Sequence, residues 1–208
     1  MAKINLKKGQ KIELKLTKIS VGLGWEPNEG TGFDFDLDAS AFMLHEKRKI
    51  PTESHFIFYN NLCGLGHNED DPCKKYGCTN GAYGLRHTGD DPDGRSSDGG
   101  DDEVIVVDLE NIPKNITEII FVVTIHDSGI RKQNFGQVRD SYIRIVDEVK
   151  GEEIAKYELD EDFSIETSVE FGKLYLRNGQ WKFSASGIGY NEDLEFFVSQ
   201  YFDGEIES

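Results

Sequence analysis

The sequence predicts an all-β fold, a two-sheet β-sandwich with a short C-terminal helix and a long inserted loop. Short apolar runs with period-two alternation recur along the chain, hairpin dipeptides separate several of them, and clear helical periodicity is confined to one stretch near the C-terminus. Lys11 to Leu16 alternates apolar and polar residues as a half-buried strand does. Further strands are predicted over Asp36–Leu44, His55–Tyr59, Glu103–Leu109, Glu118–His126, Ser141–Asp147, Ile154–Leu159, Ser168–Leu176 and Trp181–Gly187. Asn178-Gly179 marks a tight hairpin, because both residues tolerate positive φ, and Lys150-Gly151 plays the same part earlier. Between Asp193 and Phe202, the residues Leu194, Phe197, Val198 and Tyr201 fall at i, i+3, i+4 and i+7, with Asn191 as the expected cap. Asn134 to Val138 adds one turn. Roughly nine strands on short links favour two stacked sheets, and without a repeat or long linker residues 1–208 read as one domain.

Composition narrows the function. Lys and Arg number 23 against 39 Asp and Glu, a net charge of −16, which argues against nucleic acid or an anionic membrane as the main partner. Three cysteines and no apolar N-terminal run point to the reducing cytoplasm. No apolar run approaches the roughly 20 residues of a membrane-spanning helix, so no membrane insertion is expected.

Two acidic segments carry the chemistry. Asp34, Asp36 and Asp38 alternate with Phe33, Phe35 and Leu37, which puts the carboxylates on one face of an extended chain. The stretch from Asp90 to Glu103 adds seven carboxylates in fourteen residues: Asp90, Asp91, Asp93, Asp98, Asp101, Asp102 and Glu103. Carboxylates roughly 7 Å apart on one face repel unless a positive group sits among them. A hard divalent cation serves, and Ca²⁺ takes about six to eight oxygen ligands. The site requires the second segment to fold back on the first. An EF-hand register fails, since its first and twelfth positions would fall on Gly89 and Gly100.

The segment 62–97 has little apolar periodicity and reads as a long loop. It carries Cys63, His67, Cys73, Cys78 and His87, enough for a four-ligand Zn²⁺ site. The Cys73-x₄-Cys78 spacing is looser than the usual Cys-x₂-Cys, so a loop without metal is the plainer reading. His126-Asp127-Ser128 holds triad residue types side by side, but a triad is assembled in space, so His126 reads as structural. Gly22-Leu23-Gly24-Trp25 reads as an exposed turn, and Arg131-Lys132-Gln133-Asn134 as a lone basic spot able to meet an anion.

Ordered matches along most of the chain resemble the TerD family, named for tellurite resistance. They run from Ile4-Asn5-Leu6-Lys7-Lys8-Gly9-Gln10 through Val21-Gly22-Leu23-Gly24-Trp25, Phe35-Asp36-Leu37-Asp38-Ala39-Ser40-Ala41 and Phe58-Tyr59-Asn60-Asn61. Gly89-Asp90, Gly100-Asp101-Asp102-Glu103, Thr124-Ile125-His126, Asn134-Phe135-Gly136-Gln137-Val138, Trp181-Lys182-Phe183 and Gly187-Ile188-Gly189-Tyr190 complete them. Cys63 through Arg86 stands as an insertion against that pattern. The resemblance implies a calcium-binding β-sandwich with ligands from Asp36, Asp38, Asp90, Asp101, Asp102 and Glu103. Asp34, Asp91 and Asp93 are further candidates on local grounds. It also implies a stress-response role without an enzymatic reaction, with other stress-response proteins as partners. The alternatives are a metal-dependent hydrolase using the acidic cluster and a pure protein-interaction module.

Overall fold

A computed structural model describes residues 4–5, 7–13, 16–64, 81–95, 100–159 and 163–204. Twelve strands occur among them: β1 (Ile4–Asn5), β2 (Lys11–Glu13), β3 (Lys18–Glu26), β4 (Leu37–His45), β5 (Phe56–Ile57), β6 (Leu85–His87), β7 (Glu103–Asp108), β8 (Ile116–Ile125), β9 (Arg139–Asp147), β10 (Glu152–Glu158), β11 (Ser168–Arg177) and β12 (Gln180–Tyr190). Two helices join them, α1 (Ser128–Arg131) and α2 (Leu194–Tyr201). The strands form two sheets of six, in the orders β1-β10-β9-β3-β7-β6 and β2-β12-β11-β8-β4-β5. Pairing is antiparallel except between β1 and β10. No helix among the described residues is long and apolar enough to cross a membrane.

Strand alternation builds the core. Ile19, Val21, Leu23 and Trp25 of β3 face Leu37, Ala39, Ala41 and Met43 of β4 and Ile119, Phe121, Val123 and Ile125 of β8 in one apolar cluster between the sheets. The opposite face of β4 supplies a second, smaller cluster. There Phe42 and Leu44, with Ile120 and Val122, are covered by Phe197 and Val198 of α2. Asp193 caps that helix instead of Asn191, because its extended backbone (φ −96°, ψ −174°) lets the carboxylate accept from the Phe196 N–H at 3.1 Å. The Asn178-Gly179 hairpin forms as expected, with φ of 54° and 72° joining β11 to β12. At the β9–β10 turn, Asp147 Oδ1 accepts from the N–H groups of Val149 (2.9 Å) and Lys150 (3.2 Å).

Three expectations are corrected. Gly22 to Trp25 is no turn but the middle of β3, between β7 and β9. Its glycines are spaces for other side chains: a Cβ on Gly22 would lie 2.1 Å from Asp101 Oδ2, and one on Gly24 2.6 Å from the Tyr142 ring. The segment 62–97 contains the strand β6, and its base is tied, with the Ala82 N–H donating to Cys63 O (2.8 Å) and the His87 N–H to Leu62 O (2.7 Å). Finally, β4 starts only at Leu37, and Phe33 is 60% exposed, so the alternation through Asp34 does not continue the strand.

Candidate metal centre

The Asp-Leu-Asp sequence fixes half of the site. Leu37 is a core residue, so the flanking Asp36 and Asp38 share the outward face with Ser40, Phe42 and Leu44. The His126 N–H donates to Asp36 O at 2.8 Å, just past the last β4–β8 pair, Leu37 with Ile125. Both carboxylates are therefore fixed at the rim of a central strand.

The second half is aimed by Glu103, the first residue of β7, whose side chain is fully buried. Its Oε2 accepts from the Ala39 N–H at 2.7 Å, and its Oε1 from the Asp91 N–H at 3.3 Å. His87 Nε2 lies 3.3 Å from the same Oε2, while His87 Nδ1 accepts from the Gly89 N–H at 3.1 Å. That second bond places the ring proton on Nε2, where Glu103 accepts it. Asp91 Oδ1 then closes the turn by accepting from the N–H groups of Gly94 (3.0 Å) and Asp93 (3.3 Å). One buried carboxylate thus links β4, β6 and the turn carrying Asp90.

The result is a convergence. Asp36, Asp38 and Asp90 each offer a carboxylate oxygen, all within 4.8 Å of one another, with Asp36 and Asp38 buried and Asp90 exposed. Two oxygens each bound at about 2.4 Å to one ion can stand up to about 4.8 Å apart, on opposite sides of it. The donor set is all oxygen, which suits a hard cation. Arg131 Nη1 sits 3.2 Å from Asp36 Oδ2. His126 Nδ1 is 3.8 Å from Asp38 Oδ2, and its Nε2 is 3.7 Å from Asp127 Oδ2. The Tyr59 ring meets His126 edge-on at 6.2 Å.

The electrostatics are unbalanced. Burial, reinforced by the charges of Glu103, Asp36 and Asp90, pushes the Asp38 carboxyl up to about 9. Burial raises Asp36 as well, with His126 and Arg131 pulling the other way. Burial first, then the nearby carboxylates, raise the Tyr59 hydroxyl too. Burial and the neighbouring carboxylates thus favour a proton on Asp38 where a cation could sit.

The other six predicted ligands are not part of that cluster of three, and each is engaged by the protein. Asp34 and Asp93 share Arg95, at 3.1 and 2.9 Å. Asp101 lies over Gly22 on the outer face of the first sheet, 2.7 Å from Arg144 Nε, and its Oδ1 accepts from the Tyr142 hydroxyl at 3.1 Å. Asp102 accepts from the Trp25 N–H at 2.9 Å. Asp91 and Glu103 shape the turn. Consecutive residues of an extended segment point in different directions, so Asp101, Asp102 and Glu103 do not meet at one point. Of the predicted zinc ligands, His67, Cys73 and Cys78 lie outside the described residues, Cys63 is buried, and both ring nitrogens of His87 are already engaged.

The family model of the TerD domain matches residues 1–201. The chain belongs to the TerD domain family. It is 44% identical over 204 residues to general stress protein 16U of Bacillus subtilis (strain 168), covering 95% of this chain and 96% of that protein. It is 41% identical over 203 residues to the tellurium resistance protein TerD of Serratia marcescens, with the same coverage of 95% and 96%. A solved homologue of the telluride resistance protein (TerD) from Streptomyces coelicolor A3(2) shares the fold, with a TM-score of 0.65 at 15% identity over 88% of this chain and 95% of that one.

Within this TerD domain, three neighbours of the triad escaped the sequence. Arg131 stood out only as a lone basic spot on a surface loop, able to meet an anion; in the structure it pairs with Asp36. His126 does not sit inside β8 but just past it, its side chain 39% exposed between two aspartates. Tyr59 was read only as the end of the strand His55–Tyr59 and as part of the Phe58-Tyr59-Asn60-Asn61 match; the strand itself is Phe56–Ile57.

Proposed function

We propose that this chain is a calcium-binding, non-catalytic stress-response module of the cytoplasm, with Asp36, Asp38 and Asp90 at the heart of its site. The observation that carries this is the meeting of three carboxylate oxygens within 4.8 Å, two of the three residues being buried. A bound ion would supply the positive charge that lets Asp38 ionise in that setting. The chain's own part is to aim the oxygens: β4 presents Asp36 and Asp38, and Glu103 holds the turn that delivers Asp90. The names of the relatives, a general stress protein and a tellurium resistance protein, support the stress role; other stress-response proteins are part of the proposal as partners. Calorimetry on metal-stripped protein tests the proposal. Saturable Ca²⁺ binding, lost in Asp38→Asn and kept in the distant Asp203→Ala, is expected. No heat at millimolar Ca²⁺ refutes it.

One observation favours a second reading, a metal-dependent hydrolase: His126 stands 3.8 Å from Asp38 and 3.7 Å from Asp127, where a ring could transfer protons. Turnover of generic esters or phosphoesters, abolished by His126→Ala, would install it.

A further inference from the structure

The outer face of the first sheet carries a feature unrelated to the acidic triad. In register, Lys18 of β3 lies opposite Asp108 of β7, while Ser20 of β3 and Arg86 of β6 flank Val106 of β7 from its two sides. Directly paired residues of antiparallel strands share a face, so Lys18, Asp108, Val106 and Arg86 all point outward together. Two strand spacings and two residues separate the Cα atoms of Lys18 and Arg86, roughly 12 Å, within reach of two long side chains aimed at one point. A concavity of about 250 Å³ opens there, lined by both cations and by Val106, Asp108 and Asn111, with Gly81, Ala82 and Gly84 as a wall of nearly bare backbone.

Neither the Lys18 ammonium nor the Arg86 guanidinium has an ion-pair or hydrogen-bond partner among the described residues, although both residues are half-buried in a chain with 39 carboxylate side chains. Their neighbours on the same sheet are paired. Arg144 holds Asp101 at 2.7 Å and Glu153 at 3.5 Å, and Lys156 holds Glu158 at 3.0 Å. Asp108 makes no ion pair with Lys18 among the described residues; its oxygens accept from the Glu110 N–H (3.2 Å) and Asn111 Nδ2 (3.0 Å) in its own turn, and its charge stays in the lining of the concavity.

We infer that this concavity binds a small tetrahedral oxyanion of the phosphate type. The guanidinium offers paired donors that match two oxygens of such an anion, the ammonium a point charge, and Asn111 a further amide. The volume suits an inorganic anion with its waters better than a drug-sized ligand, for which about 300–1,000 Å³ is usual. The inference does not rest on the calcium reading, since no triad residue lines the concavity.

Titration of metal-stripped, full-length protein with inorganic phosphate tests it, with chloride balancing ionic strength. Saturable binding is expected, weakened at least tenfold in Lys18→Gln and in Arg86→Gln. Arg86→Lys, which keeps the charge and loses the fork, should fall between. Lys150→Gln, on an exposed cation already paired with Asp147, should bind as the parent does. Melting temperatures in chloride check that the variants fold; if Arg86→Gln fails, Lys18→Gln carries the comparison. Absence of saturable binding up to tens of millimolar phosphate overturns the site, as does binding that neither variant weakens.

Discussion

The Glu103 carboxylate accepts a 2.7 Å hydrogen bond from the Ala39 N–H, joining two strands of different sheets across 64 residues of sequence. Ala39 lies next to Asp38, and Glu103 also holds the Asp91 N–H, next to Asp90. One buried group therefore sets the spacing of both arms of the triad.

Glu103→Ala should for that reason harm stability and metal binding together. It leaves the N–H groups of Ala39 and Asp91 without their acceptor, and each such buried orphan costs about 1–3 kcal/mol. Urea unfolding should show a loss of about 3 kcal/mol, and Ca²⁺ affinity should fall although none of the three converging carboxylates is altered. Unchanged affinity in a folded variant would show that Glu103 does not aim the site.

Asp38 makes stability depend on pH. Its carboxyl is pushed from 3.8 in the unfolded chain up to about 9 in the fold, so the folded protein binds the extra proton between those values. Stability must then fall as pH rises through that window. Melting curves of metal-free protein between pH 5 and 9 should show a decline that Asp38→Asn reduces. A variant whose melting temperature falls as steeply as the parent's would place the titration on another group.

Calcium binding at neutral pH should release protons. A cation entering among Asp36, Asp38 and Asp90 takes the place of the proton on Asp38, about one per site. Calorimetric heats measured in two buffers of different ionisation enthalpy should differ by that stoichiometry, and the affinity should rise with pH. Identical heats in both buffers would show that Asp38 was already ionised.

Gly22→Ala should destabilise the fold. The new Cβ would lie 2.1 Å from an Asp101 carboxylate that Arg144 and Tyr142 hold in place. Such overpacking costs about 1–3 kcal/mol. Gly129→Ala, where no atom lies within 4 Å, is the matched control and should be neutral. Chemical denaturation of the two variants side by side checks the contrast.

Replacing residues 65–80 by a short turn should leave the melting temperature and Ca²⁺ binding nearly intact, because Cys63 and Ala82 are already hydrogen-bonded at 2.8 Å. Elemental analysis of protein purified without chelator belongs beside it. One zinc per chain, lost on Cys73→Ser, would assign that segment a metal role of its own.

Local patterns were legible and long-range ones were not. The Asn178-Gly179 hairpin, the face shared by Asp36 and Asp38, and the apolar stripe of α2 follow from nearest-neighbour chemistry. The central strand β3 was missed because Gly22 and Gly24 resemble turn residues until Asp101 and Tyr142, far along the chain, are laid across them. The predicted ligand set is wider than the three carboxylates that converge among the described residues, for a related reason. Nothing local says that Arg95 draws off Asp34 and Asp93, or that Arg144 draws off Asp101.

Among the described residues, both sheets end in strands of two or three residues, β1 and β6 on one, β2 and β5 on the other. The described part of each edge offers a foreign strand only a short ladder, and the net charge of −16 repels like copies before contact. Among the described residues, the architecture leaves little purchase for amyloid-like growth, a useful trait in a protein whose relatives are named for stress.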